Sequence, residues 1–177
     1  LANQRQDEYG GDFENRIRMT LETFQAMQAA VPEGYPIGVR LSAQDWFDGG
    51  WTVEESVELS KRLQQLGAAY IHVSSGGLHV EQAIQIGANY QVPFAQAVKQ
   101  ALDIPVIAVG LITEAQQAEQ VLQQQQADAI GLARAMLYDP RWPWHAAAEL
   151  GEIMEIAPQY LRCQPHGVKQ LFQPFSA

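Results

Sequence analysis

Four short apolar runs, rich in β-branched residues and separated by helix-like stretches, constrain this chain more than any other feature. They occupy residues 37–41, 69–73, 106–109 and 129–132. Nearly every position in each run is apolar, so each reads as a strand buried on both faces, as in a parallel sheet covered by helices. Successive runs start about 32, 37 and 23 residues apart, which matches strand–helix modules with right-handed crossovers.

Helical periodicity fills the gaps. Ile17, Leu21 and Phe24 fall at i, i+4, i+7, as do Leu59, Leu63 and Leu66, so each set lines one helix face. Asp12 stands where an N-cap is needed. Thr52 with Glu55 spells a capping box, and Thr113 with Gln116 spells a second. Asp139 before Pro140 suits a first helical turn, and Gly67 and Gly151 suit helix ends. The glutamines at 123–126 read as an exposed helix end. The order is a helix followed by four βα units, with no linker-like stretch. It fits either a small open sheet or half of an eight-stranded (β/α)₈ barrel, whose full length is typically ~250 residues.

Composition narrows the function classes. The 177 residues are 47% hydrophobic, a globular proportion. The longest apolar run, 104–112, is about half of what a membrane helix needs. Eleven basic residues against twenty acidic ones, a net charge of −9 and no basic cluster argue against nucleic acid as a partner. Cys163 is the lone cysteine, which excludes an internal disulfide, and no metal-type Cys/His spacing exists. The chain starts at Leu1, and no charged-then-apolar leader follows it.

In both candidate architectures function belongs at the carboxyl ends of the strands. There the chain places Ser42 to Trp46, a loop of about 18 residues from Ser74 to Gln91, then Gly110, then Arg134. A strand-end glycine before a capped helix lets backbone N–H groups approach an anion, and an arginine at the next strand end offers a forked donor to phosphate oxygens. The alternative is a turn glycine and an arginine paired with Asp139. Arg40 lies inside a strand that reads as buried, so it needs a partner: a ligand anion, or Asp45 in a core ion pair. His72 reads as a packed, hydrogen-bonded core residue and His79 as solvated. Trp46 and Trp51 read as rim packing, His145 as surface or packing, and Cys163 as unreactive.

The string Asn3-Gln4-Arg5-Gln6-Asp7-Glu8-Tyr9-Gly10-Gly11-Asp12-Phe13-Glu14-Asn15-Arg16 resembles a signature of the old yellow enzyme family, with Asp12 in place of the family's serine. Gly38 to Ala43, Val73 to Gly77, Tyr90 to Ala95, Ala108 to Thr113 and Ala133-Arg134 before Asp139-Pro140 are similar to later family segments. Pro158 to Arg162 resembles the ending of its short bacterial NADPH dehydrogenase and xenobiotic-reductase branch.

The resemblance implies an FMN-dependent ene-reductase on a (β/α)₈ barrel; the alternatives are a phosphate-binding lyase or isomerase barrel and a non-catalytic half-barrel. Residues 1–162 would form the ene-reductase's carboxyl-terminal half, strands five to eight, and 163–177 an unassigned tail. It implies that Arg40 meets the flavin near N1 and the C2 carbonyl, where a fixed cation favours negative charge on the ring. Gly110, Ala133 and Arg134 would hold the FMN phosphate. Ala133 stands where glycine is commoner, which a negative φ tolerates. Arg162 would reach into a neighbouring subunit's active site, which implies a homo-oligomer. A hydride would pass from NADPH or NADH through the flavin to an enone. The family's substrate-binding His pair and tyrosine proton donor belong to the other half, so no catalytic residue is expected here. The 177 residues alone are then expected neither to hold FMN tightly nor to turn over. The branch also implies a cytoplasmic enzyme.

Overall fold

Local capping chemistry shapes the start of the chain. This computed structural model describes residues 2–175. The Asp12 side chain accepts from Asn15 N at 2.9 Å and starts α1 (Phe13–Ala30). Upstream, Asn3 Nδ2 donates to the Tyr9 carbonyl at 2.7 Å, Arg5 Nε to Asp7 Oδ1 at 2.9 Å, and Arg18 Nε to the Glu8 carbonyl at 2.7 Å. A Cβ on Gly10 would lie 2.0 Å from the Arg5 carbonyl oxygen, so only glycine fits there. The string of the sequence signature is thus a brace that fixes the approach to α1.

Next come β1 (Gly38–Ser42), α2 (Val53–Gln65), β2 (Tyr70–Ser74), α3 (Val92–Lys99), β3 (Val106–Ala108), α4 (Ala115–Gln123) and β4 (Ala129–Ile130). They are followed by α5 (Arg134–Tyr138), α6 (Trp142–Leu150), β5 (Met154–Ile156), a 3₁₀ helix (Pro158–Cys163) and β6 (Phe172–Pro174). All four expected strands form, with ends moved by one or two residues. They make a parallel sheet in the order β1-β2-β3-β4. Arg40 aligns with His72, His72 with Ile107, and Ile107 with Ala129.

The expectation of strands buried on both faces is corrected. Leu41, Ile71, Val73, Val106 and Ala108 are buried on one face, whereas Arg40 and Tyr70 on the other are exposed and His72 is half-buried. Helix α3 packs against β2 and β3, and α2 packs against α1 and α3. Among the described residues no helix covers the face that carries Arg40. Short apolar runs report hydrophobicity, and hydrophobicity does not say which face receives a helix.

Two start signals also shift. Gln117, not Gln116, closes the α4 start, its side-chain oxygen accepting from Thr113 N at 2.9 Å and Glu114 N at 3.4 Å. Helix α6 starts at Trp142 with Pro143 in its first turn, so the Asp139-Pro140 pair lies just upstream. Thr52 and Glu55 form the expected capping box at α2, and Gly67 and Gly151 adopt φ of 90° and 76° past their helices.

The chain divides into two compact units, one of Leu1–Leu111 with Val121–Gly131, the other of Ile112–Gln120 with Leu132–Ala177. The sheet β1–β4 belongs to the first. In the second, β5 pairs in parallel with β6, Met154 opposite Phe172, which gives the tail after Arg162 a place in the fold. Trp144 meets Phe172 and Tyr160 edge-on, with centroids 4.9 and 5.5 Å away, and Arg141 lies 4.1 Å over its ring. Replacing Thr52 by Ala removes the α2 cap and is expected to lower unfolding stability by about 1 kcal/mol, read as a lower urea midpoint at unchanged slope.

Candidate functional site

On the helix-free face of the sheet, the register of β1 and β2 sets Arg40 beside His72. Arg40 Nη1 lies 3.1 Å from His72 Nδ1 and 3.0 Å from Nε2. A Cβ on Gly131 would stand 3.0 Å from His72 Nε2, so the absence of a side chain leaves room for the imidazole. Burial first, and the Arg40 charge second, hold His72 below the usual imidazole range, so it is neutral near pH 7. Arg40 is therefore an exposed cation on a bare sheet face, which corrects the reading of a buried guanidinium. The Asp45 pairing is not formed: Asp45 instead accepts from Trp51 N at 3.0 Å in the turn after β1.

The loops at the carboxyl ends of β1, β2 and β3 share one polar cluster. Trp46 Nε1 donates to Ser75 Oγ at 2.9 Å. Gln91, buried just before α3, donates its Nε2 to the Ser75 carbonyl at 2.9 Å and to Ser75 Oγ at 3.0 Å. Gly110 has φ of 129°, and a Cβ on it would come 3.0 Å from Gln91 Cβ and 3.0 Å from Gln91 Oε1. Leu111 follows with φ of 51°. Trp46 packs edge-on against Phe94, centroids 5.3 Å apart, and Trp51 stacks on Phe13 at 6.0 Å. Both tryptophans are packing residues, as expected. Gln91 was not singled out by sequence. Its signal was a glutamine standing directly before the apolar start of a helix.

In the second unit Ala133 and Arg134 begin α5, both exposed. Ala133 has φ of −120°, on the negative side that a methyl group tolerates. Arg134 borders a cavity of about 530 Å³ also lined by Tyr138, Trp142, His145 and Glu149. Its pairing with Asp139 is not formed, because Asp139 Oδ2 holds His145 Nδ1 at 2.6 Å and Oδ1 accepts from Arg141 N at 3.0 Å. Arg162 is exposed on the 3₁₀ helix. Cys163 Sγ donates to the Tyr160 carbonyl. His79 lies exposed in the long loop, 3.7 Å from Glu81.

The arginines divide by the partners they meet. Arg5, Arg16 and Arg62 pair with Asp7, Glu55 and Glu58 respectively. Arg18 bonds the Glu8 carbonyl and Asn15, and Arg141 lies over Trp144 and Tyr160. Among the described residues, the side chains of Arg40, Arg134, Arg141 and Arg162 meet neither a carboxylate nor a backbone carbonyl, and of these Arg141 lies over two aromatic rings. The other three are the arginines the sequence assigned to ligands. No group of His, Cys, Asp and Glu among the described residues could hold a metal. No helix among them is long and apolar enough to cross a membrane.

Residues 1–152 match the sequence profile of the NADH:flavin oxidoreductase / NADH oxidase family. An NADPH dehydrogenase of Geobacillus sp. (strain WCH70) is 44% identical over 162 residues, 92% of this chain and 47% of the relative. An NADH oxidase of Thermoanaerobacter brockii is 37% identical over 146 residues, 80% of this chain and 22% of the relative. The chain thus spans about half the length of the NADPH dehydrogenases it matches. The solved 2-naphthoyl-CoA reductase superposes with a TM-score of 0.73 at 24% identity, covering 85% of this chain and 23% of that one, a likeness of fold.

The low His72 pKa has a pH signature. The unfolded chain takes up this proton near pH 6.5 while the folded chain resists it, so folding stability is intact above that pH and falls as pH drops below it. Replacing His72 by Gln is expected to flatten the stability loss below pH 6.5, measured by urea titrations at stepped pH against the wild type.

Proposed function

Because the chain belongs to the NADH:flavin oxidoreductase / NADH oxidase family, we propose that it supplies the FMN-holding half of an NAD(P)H-dependent ene-reductase. Residues 1–162 would form the carboxyl-terminal half of the (β/α)₈ barrel. The observation that carries this reading is that Arg40, Arg134 and Arg162, the arginines the family resemblance assigns to ligands, have no acidic partner among the described residues.

The residues present fit FMN. Gly110 has a positive φ and its side-chain space is closed by Gln91, so its backbone would meet a phosphate with no side chain between them. Ala133 has the negative φ its methyl requires. In this reading Gly110, Ala133 and Arg134 bind the phosphate, the last through a forked, permanently charged donor. Arg40, beside His72, would face the flavin and would supply a fixed positive charge there.

FMN supplies two-electron hydride chemistry, from NADPH or NADH to the β-carbon of an α,β-unsaturated carbonyl compound. The proton that completes the α-carbon comes from a group outside these 177 residues, which supply anchoring and charge stabilisation. In this reading Arg162 serves the active site of a second copy in a homo-oligomer. The setting is the cytoplasm, where NAD(P)H is supplied.

The test is reconstitution of the full-length protein. Arg134→Ala is expected to weaken FMN binding about 10–100-fold, the loss of a charge-assisted hydrogen bond, followed by the flavin's visible absorbance and quenched fluorescence. Arg162→Ala is expected to raise the KM for an enone such as cyclohexenone about tenfold with FMN content unchanged. A full-length protein that takes up no FMN, or oxidises NADPH with no reduction of an enone, overturns the reading.

A further inference from the structure

We propose that Gln91 is a positioning residue for the cofactor phosphate, acting through the Gly110 turn; the inference rests on the FMN reading above. Gln91 is 4% exposed and lies between Ser75, in the loop after β2, and Gly110, after β3. Its amide nitrogen makes both of its bonds to Ser75, at 2.9 and 3.0 Å, while Ser75 Oγ also receives Trp46 Nε1 at 2.9 Å. These bonds fix the rotamer of the glutamine and leave its remaining atoms facing Gly110. The space a Cβ would need at Gly110 is closed by Gln91 Cβ and Oε1, each at 3.0 Å.

Gly110 is held in a backbone state few residues adopt, with φ of 129°, and Leu111 follows at φ of 51°, a conformation that costs a non-glycine residue free energy. Such a turn persists only when its surroundings over-determine it. Gln91 is the neighbour that does so: a shorter or apolar side chain at 91 frees the turn to relax, and the N–H directions offered to the phosphate are lost. Buried polar clusters of this kind are worth most when every member is satisfied, and removing one member loosens the others. Trp46 contributes from the far end. With φ of 54° its own backbone is constrained, and its ring against Phe94 holds the indole N–H on Ser75. Gln91 therefore sets the shape of the phosphate-binding backbone without touching the phosphate.

The test compares two cofactors in the full-length protein stripped of flavin. FMN carries the phosphate and riboflavin lacks it, while both present the same ring. Gln91→Leu is expected to raise the Kd for FMN by about tenfold or more and to change that for riboflavin by less than about twofold. Trp46→Phe, which keeps the aromatic contact and deletes only the N–H donor, is expected to move FMN affinity in the same direction by a few-fold. It serves as the readout if the Gln91 variant fails to fold. Equal losses for FMN and riboflavin make Gln91 a general scaffold residue and overturn the proposal, as does an unchanged FMN affinity. A wild type that binds both flavins equally, or neither, removes the phosphate site itself. That failure belongs to the FMN reading and is distinct from a wild type that prefers FMN with a Gln91 variant that keeps the preference.

Discussion

An all-parallel sheet with helices on one face and charge on the other governs what the first unit can do. Parallel strands joined by helical crossovers place every helix on a side dictated by handedness. Here α2 and α3 and the inward residues Ile71, Val73, Val106 and Ala108 make one buried layer. The opposite layer is Arg40, His72, Ile107 and Ala129, aligned in register across four strands. A row that begins with a guanidinium and an imidazole does not make a hydrophobic core, so this face is chemically suited to a polar ligand.

The arginines show how the rest of the charge is used. In a chain of net charge −9, carboxylates are plentiful, and an exposed ion pair contributes only about 0–1 kcal/mol. Arg5, Arg16 and Arg62 nevertheless pair, Arg5 inside the segment before α1, and Arg16 and Arg62 between the helices α1 and α2. Arg40, Arg134 and Arg162 stand apart from this scaffold. The difference is positional: the paired arginines occupy helices and the brace before α1, and the others occupy the open sheet face, the start of a short helix and a 3₁₀ turn.

The longest sequence signature turns out to be structural within this chain. Asn3, Arg5, Asp7, Tyr9, Gly10 and Asp12 all bond or pack with one another or with α1. A motif can therefore identify a family through the scaffold it builds. Gln91 and Ser75 lie outside that motif. They are buried polar residues whose bonds shape a neighbouring backbone.

Much of this was legible in the sequence. The apolar runs, the Asp12 and Thr52 caps and the closing glycines located the strands and helices, because those signals act within a few residues along the chain. Arg40, Gly110 and Arg134 could be located in or just past a strand for the same reason. What the sequence alone could not decide was direction and partnership. Whether Arg40 is buried depends on which face of the sheet receives helices, and whether Asp45 or Asp139 pairs with an arginine depends on turns that aim them at Trp51 and His145 instead. The pairing of β6 with β5 and the meeting of Trp46, Ser75, Gln91 and Gly110 join residues far apart in sequence. Only the packed structure sets such contacts, since no local periodicity encodes the register between distant segments.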